Sequence, residues 1–307
     1  MSEKILRILI YFNLFSYPLK KGEIAAYAGT SEDESQQLEE ALHSLVESRI
    51  IFLHEDFYHI NPDISIVERR IKGNALTLRR MKTAIRFSKI IARFPYVRGV
   101  FLSGSISKGF MSVKDDIDYF IITSPGRVWL TRTLLTLFKK IFLLNSYRNF
   151  CINFFLDDEH LAMRERDLYT ATEIVFLLPT YNYDLYLEML SMNDWVRNFY
   201  PTFHQTNNYV TAPLILLKPV FEYLLNNRLG HWIENIIFQK SKKIINKKYQ
   251  HMDRDTFARS FTLEKHEIRY FPVNPTLNIS QRYREQLLAF SAGQYGFREE
   301  TQEGTRA

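Results

Sequence analysis

Two aspartates at alternate positions, Asp116 and Asp118, introduce an apolar run that ends at Thr123. About ten residues upstream, a second apolar run, Gly99-Val-Phe-Leu-Ser103, ends in the pair Gly104-Ser105. Alternate positions at the start of a strand project to the same face, so both carboxylates are expected side by side. They would repel unless a hard cation lay between them. Mg²⁺ takes oxygen ligands, commonly one or two carboxylates completed by substrate phosphates. Glycine at 104 lets the backbone turn sharply and approach a ligand with no β-carbon in the way. Ser105 is expected to cap the helical turn that follows, with its hydroxyl and the turn amides aimed where a phosphate would sit. Such a site holds a nucleoside triphosphate by its tail and presents the α-phosphorus to a nucleophile.

The sequence apolar strand, Gly-Ser, about ten residues, Asp-x-Asp, apolar strand resembles the signature of the DNA polymerase β-like nucleotidyltransferase superfamily. The resemblance spans residues 97–123 and extends to about residue 156. It implies that Gly104 and Ser105 bind the triphosphate and that Asp116 and Asp118 are the catalytic, Mg²⁺-holding carboxylates, with Mn²⁺ a possible substitute. Lys108, close to the phosphate turn, is a further candidate for nucleotide contact. The activity implied is transfer of a nucleoside monophosphate from NTP to an acceptor hydroxyl of a small molecule, a protein or an RNA end, with release of pyrophosphate. The chain also resembles a bacterial subgroup in which a winged-helix-like segment precedes the transferase domain.

The superfamily usually adds a third carboxylate from the next strand. Here Cys-Ile-Asn-Phe-Phe-Leu offers Asn153 at the inward position. An amide oxygen can ligate a cation but cannot serve as a base, so Asn153 is a candidate metal ligand only. Three alternatives follow: catalysis by two carboxylates, a base from Asp157, Asp158, His160 or Glu173, or a nucleotide sensor without turnover. Asp115 is placed in the loop with Lys114 as a surface partner.

Elements to position these residues are legible around them. Apolar periodicity predicts helices over 3–15, 21–27 and from a cap at Thr30 or Ser31 to about Ser48, followed by a hairpin over 50–60. That order resembles a winged helix-turn-helix. Its third helix opens Ser-Glu-Asp-Glu-Ser-Gln-Gln-Leu-Glu-Glu, and an anionic helix approaches a phosphate backbone at high cost, which disfavours DNA as a partner and makes a DNA-binding regulator the weakest reading. Residues 64–94 predict basic linking helices with a break at Gly73. Strands are expected at 99–103, 117–123 and 151–156, with a helix from about Gly126 to Leu143. A mostly helical stretch follows to about Gln250, then an extended segment Phe261–Pro272 and a helix over 280–290. The expected fold class is α+β and multi-domain. A winged-helix-like domain spans 1–62, linking helices 63–95, a nucleotidyltransferase α/β core with a mixed sheet 96–160, a helical C-terminal lobe 161–298 and a disordered tail 299–307.

Bulk composition sets the remaining limits. Among 307 residues there is one cysteine, which excludes an intrachain disulfide and a thiolate metal cluster and fits a reducing, cytoplasmic compartment. The eight histidines form no ligand spacing, and Gly104 to Gly109 lacks the Gly-Lys-Ser/Thr ending of a P-loop. No apolar run approaches the ~18 residues of a bilayer span, so no membrane partner is expected. The net charge is +6; residues 1–62 carry five basic and ten acidic side chains, leaving +11 on the remainder. That asymmetry supports a boundary near Pro62 and favours anionic partners for the rest of the chain.

Overall fold

The computed structural model describes residues 1–206, 208–211, 218–271 and 276–293, which form two units: Met1–Glu68 with the segment from Thr276, and Arg69–Pro275. In the first unit α1 (Ser2–Asn13) buries Ile5, Leu6, Leu9, Ile10 and Phe12, the stripe that its 3.6-residue periodicity predicts. After β1 (Leu19–Lys20), the Lys20 N–H donates to Glu23 at 2.8 Å, opening α2 (Lys21–Ala28), and Gly29 closes that helix at φ 61°. Neither Thr30 nor Ser31 caps α3 (Ser35–Glu47). Instead the Ser31 N–H donates to Glu34 at 3.0 Å, closing a turn ahead of a helix that starts without a side-chain cap. The hairpin β2 (Phe52–His54) and β3 (Phe57–His59) forms as expected, and β1 joins it in an antiparallel sheet of order β1-β3-β2.

In place of the expected break at Gly73, α4 (Ser65–Ala92) is one continuous helix. The bare Cα of Gly73 serves packing instead. A β-carbon there would stand 2.6 Å from the Phe110 ring, and the Gly73 carbonyl accepts from Thr77 Oγ1 at 2.9 Å and from the Met111 N–H at 3.4 Å. The loop that carries Phe110 and Met111 is thereby fixed to the helix.

Beyond α4 come β4 (Val97–Ser103), the single turn α5 (Gly104–Ser107), β5 (Asp118–Thr123), α6 (Val128–Phe142), β6 (Cys151–Asp157), α7 (Leu168–Val175), β7 (Leu178–Tyr181) and α8 (Tyr183–Met192). A 3-10 turn precedes α9 (Lys218–Leu225), α10 (Arg228–Lys248), α11 (Arg254–Ser260), the hairpin β8 (Phe261–Leu263) and β9 (Glu267–Tyr270), and finally α12 (Thr276–Gly293). The second unit holds a mixed sheet of order β7-β4-β5-β6-β9-β8, in which β5 and β6 are parallel and the other neighbours antiparallel. β7 arises inside a stretch that reads as helical. Its Pro179 lacks an N–H, which an edge strand tolerates. By contacts α12 groups with the first unit and not with the C-terminal lobe: the Tyr283 ring meets Tyr11 edge-on at 5.7 Å. Pro272 and the tail 299–307 lie outside the described residues.

One face of the large sheet, with Val100, Leu102, Tyr119, Ile121 and Phe155, packs with Ala84 and Ile91 of α4, Trp129 and Leu135 of α6, and Phe238 and Ile245 of α10. On the other face Phe101, Phe120 and Phe154 stack across three strands, with centroids 6.1 and 4.5 Å apart, and Tyr186 of α8 meets Phe101 edge-on. α6 begins after Arg127 with no side-chain cap of its own. Glu234 of α10 supplies one: its two carboxylate oxygens accept from the Trp129 and Leu130 N–H groups at 2.8 and 2.7 Å.

Burial pushes the Glu234 carboxyl up to about 7, against the pull of those two N–H groups and of Arg127. A raised acid stabilises the fold most fully below its unfolded pKa and loses that contribution as pH rises through the folded one. Thermal stability should therefore fall between pH 5 and 8 by on the order of 2 kcal/mol. In Glu234→Gln, which has no proton to lose there, melting followed across the same pH range should show a markedly flatter decline.

Candidate functional site

The register of three strands builds the site. In the antiparallel pair β4/β5, Ser103 lies opposite Asp118, and in the parallel pair β5/β6, Asp118 lies opposite Cys151. The last residue of β4, the first of β5 and the first of β6 thus meet at one edge. Gly104 follows at φ +67°, and a β-carbon on it would stand 2.6 Å from Asp118 Oδ2. Glycine is required twice over, by the left-handed backbone and by the carboxylate pressed against it.

Asp118 is half-buried, and burial pushes its carboxyl up to about 6. Asp116 and Glu173 push the same way through their charge, while a hydrogen bond from the Cys151 thiol and the charge of Lys108 oppose them. Cations stand beside these acids as well: Lys108 pairs with Glu173 at 2.9 Å, and the charge of Arg80 is felt by Asp116. Burial, reinforced by Asp118, pushes the Cys151 thiol up to about 12, so that it acts as a proton donor to the carboxylate.

The structure brings together Gly104, Lys108, Asp116, Asp118 and Asn153, with three adjustments to the sequence expectation. First, β5 begins at Asp118, so Asp116 precedes the strand. It is held at the strand's edge because Ile117 N–H donates to Arg148 O at 3.1 Å and Cys151 N–H donates to Ile117 O at 3.0 Å. Second, the N-cap of α5 is Ser103 and not Ser105, and it makes no side-chain cap bond; Ser107 Oγ is the hydroxyl that donates to Gly104 O, at 2.9 Å. Ser105 lies within the turn. Third, Asp115 accepts from Ser112 N–H and Oγ at 2.9 and 2.6 Å, closing its own loop without Lys114.

Asn153 is the residue at which the β5/β6 ladder slips, since Tyr119 pairs with Ile152 but Phe120 with Phe154. Its amide nitrogen lies 3.4 Å from Asp118 Oδ1 and 3.0 Å from Cys151 Sγ. Of the four residues weighed as a base, only Glu173 belongs to this region. Asp157, Asp158 and His160 sit at the far end of the seven-residue β6, roughly 20 Å away at the rise of a strand. There His160 Nδ1 meets Asp157 Oδ1 at 2.6 Å, beside a cavity of about 220 Å³ bordered by His266 and Glu267. Glu173, on α7, holds Lys108 Nζ at 2.9 Å, and the same ammonium lies 3.4 Å from Gly104 O.

Two contributors escape sequence reasoning. Cys151 reads as one apolar residue of a strand, and nothing in its neighbours marks it as the donor to Asp118. Arg80 reads as one cation of a basic helix, yet its guanidinium binds the carbonyls of Asp115 and Arg148 and Asn149 Oδ1. It ties the loop before β5 to the segment before β6.

Donor chemistry decides what cation suits the site. Asp116 and Asp118 present hard carboxylate oxygens near one another, and Asn153 could add an amide oxygen after rotation of its side chain. Among the described residues no three His, Cys, Asp or Glu side chains converge as a complete metal-binding group. That set fits an ion that draws its remaining ligands from phosphate and water, as Mg²⁺ does, and does not fit a closed structural metal site.

Gly104→Ala should destabilise the chain by about 2–4 kcal/mol, from the left-handed backbone and the clash with Asp118 together. Gly109→Ala has a similar φ of +72° but open space around it, and should cost about 1 kcal/mol. Urea denaturation of both variants separates the two contributions.

No protein-family model, curated protein or solved structure matches the chain in comparison.

Proposed function

We propose that the chain is a Mg²⁺-dependent nucleotidyltransferase of the DNA polymerase β-like type, moving a nucleoside monophosphate from NTP to an acceptor hydroxyl with release of pyrophosphate. The observation that carries this reading is the junction of Gly104 and Asp118, where a bare left-handed turn abuts a half-buried carboxylate that Asp116 also influences. The same residues, in the same order, carry the resemblance in sequence.

Within this reading Asp116 and Asp118 would hold Mg²⁺, whose contribution when bound is polarisation of the α-phosphate and neutralisation of charge. Gly104 and Ser105 leave room for the triphosphate to approach the backbone. Lys108, at the same turn, supplies a cation for the phosphate tail and is oriented by Glu173. Glu173 also answers the absence of an acid at Asn153, because it is the carboxylate nearest in effect to Asp118 after Asp116. We assign it to receive the proton of the acceptor hydroxyl. The helix, strand, helix, helix, hairpin order of the first unit supports a winged-helix reading, and α3 carries Glu39, Glu40 and Glu47 with no Lys or Arg, which disfavours DNA as its partner.

A second reading is a nucleotide sensor that binds without turnover. What favours it is Asn153, which directs an amide N–H at Asp118 where the superfamily places a third acid.

The two readings separate in one set of assays with radiolabelled NTPs, Mg²⁺ and acceptor hydroxyls supplied as small-molecule, protein and RNA pools. The transferase predicts pyrophosphate release that drops at least 100-fold in Asp116→Asn and in Asp118→Asn. In Glu173→Gln, kcat should drop about 100-fold, and KM for NTP should rise as well because Lys108 loses the carboxylate that orients it. Calorimetric binding of Mg·NTP with no pyrophosphate from any of the four NTPs would establish the sensor, and turnover unchanged in the two aspartate variants would refute the transferase.

A further inference from the structure

Helix α9 is folded with its polarity reversed. Lys218 and Glu222, one helical turn apart, face the body of the second unit. Lys218 is 5% exposed and donates to the carbonyls of Ala92 and Val97, while Glu222 accepts from the Tyr96 N–H and pairs with the Arg98 guanidinium at 2.9 Å. The residues between and after them, Val220, Phe221, Tyr223 and Leu224, face outward, and Tyr223 is 84% exposed. An amphipathic helix on a water-facing surface does the opposite.

α10, which touches α9, presents an exposed stripe of its own. At 100° per residue Leu229, Trp232, Lys240, Lys243, Ile244 and Lys247 fall on one stripe, and all six are exposed, Trp232 at 61%. The opposite stripe carries the buried Glu234, Phe238 and Ile245. Charge on the two helices is sorted just as sharply. Glu222 and Glu234 are the only acids between Lys218 and Lys248, and both are turned inward, the first onto Arg98 and the second onto the start of α6. Every charged group left on the outer surface is a cation: Arg228, Lys240, Lys243, Lys247 and Lys248, with Lys242 half-exposed beside them.

We propose that the outward faces of α9 and α10 dock the chain on an anionic lipid bilayer as a peripheral, non-spanning contact. Aromatic side chains with a polar tip, such as Tyr223 and Trp232, suit the headgroup level, and aliphatic Val220, Leu224 and Leu229 gain by leaving water for acyl chains. Lysines on the same stripe meet the negative surface of the leaflet. A second copy of the chain fits poorly, because pairing this face with itself would bring two acid-free lysine rows together. Single-stranded RNA would use the cations and the aromatic rings, but would leave the aliphatic half of the surface wet. No helix among the described residues is long and apolar enough to cross a membrane, which agrees with contact from one side. The face involves none of the residues of the Gly104–Asp118 site.

The test is co-sedimentation of the full chain with vesicles of phosphatidylcholine containing 30% phosphatidylglycerol, beside vesicles of phosphatidylcholine alone. The expected result is at least tenfold tighter binding to the anionic vesicles, weakened at high salt. The double variant Phe221→Ser/Trp232→Ser should lose binding at least tenfold, and Lys240→Glu/Lys243→Glu about fivefold, with melting curves confirming that each is folded. Trp232→Phe guards against misfolding: it should still sediment, while the blue shift of tryptophan emission that vesicles induce in the wild type disappears. No anionic preference, or equal binding by the double variants, overturns the proposal. So does a concentration-dependent dimer, or binding of single-stranded RNA, that Trp232→Ser abolishes in a chain that ignores vesicles.

Discussion

The approach of Gly104 to the Asp118 carboxylate is the constraint around which the second unit is arranged. It exists only because Ser103 is paired with Asp118, and that pairing survives only while β4, β5 and β6 keep their register at one edge. A slip of one residue would send Asp118 to the opposite face, among Tyr119, Ile121 and the helices that cover them. The Phe101–Phe120–Phe154 stack on the site's own face holds the register from below, since each ring comes from a different strand of the three. Arg80 and the Gly73–Phe110 contact act from outside the sheet, fixing the loops on either side of the junction to α4. The aspartate's position is therefore a property of the whole sheet and of one long helix, more than of its local turn.

What was legible in the sequence follows from how local each signal is. Gly104, Asp116 and Asp118 could be singled out because their chemistry and spacing lie within one short segment flanked by apolar runs. Helices α1 and α6 could be read because their burial repeats every turn. Strand β7 could not: Leu178 to Tyr181 is too short to show alternation, its Pro179 argues against a strand, and only the free edge of β4 makes it one. The continuity of α4 through Gly73 was hidden for a similar reason, since a glycine that breaks a helix and one that admits a neighbouring ring look alike. Glu173 could be suggested but not chosen over Asp157, Asp158 and His160. The choice depends on which end of β6 each occupies, which is a matter of pairing direction.

Electrostatic sorting is the second theme of the unit. Lys218, Glu222 and Glu234 are spent on backbone groups and on Arg98, whereas a soluble helix ordinarily shows such side chains to water. Removing charge from the outer surface in this way leaves apolar and cationic groups there together. The same economy appears at Lys108, whose single ammonium serves both Glu173 and the Gly104 carbonyl.

The cap that Glu234 places on α6 has a temporal side. Trp129 and the carboxylate that satisfies its N–H are 105 residues apart in the chain. At a synthesis rate of about 5–20 residues per second, α6 would emerge from the ribosome roughly 5–20 seconds before its cap exists. During that interval the helix start has bare N–H groups, and the apolar side it will turn to α10, including Trp129, has no cover. The nascent chain thus carries an exposed aromatic surface until α10 arrives, a window in which chaperone binding competes with self-association.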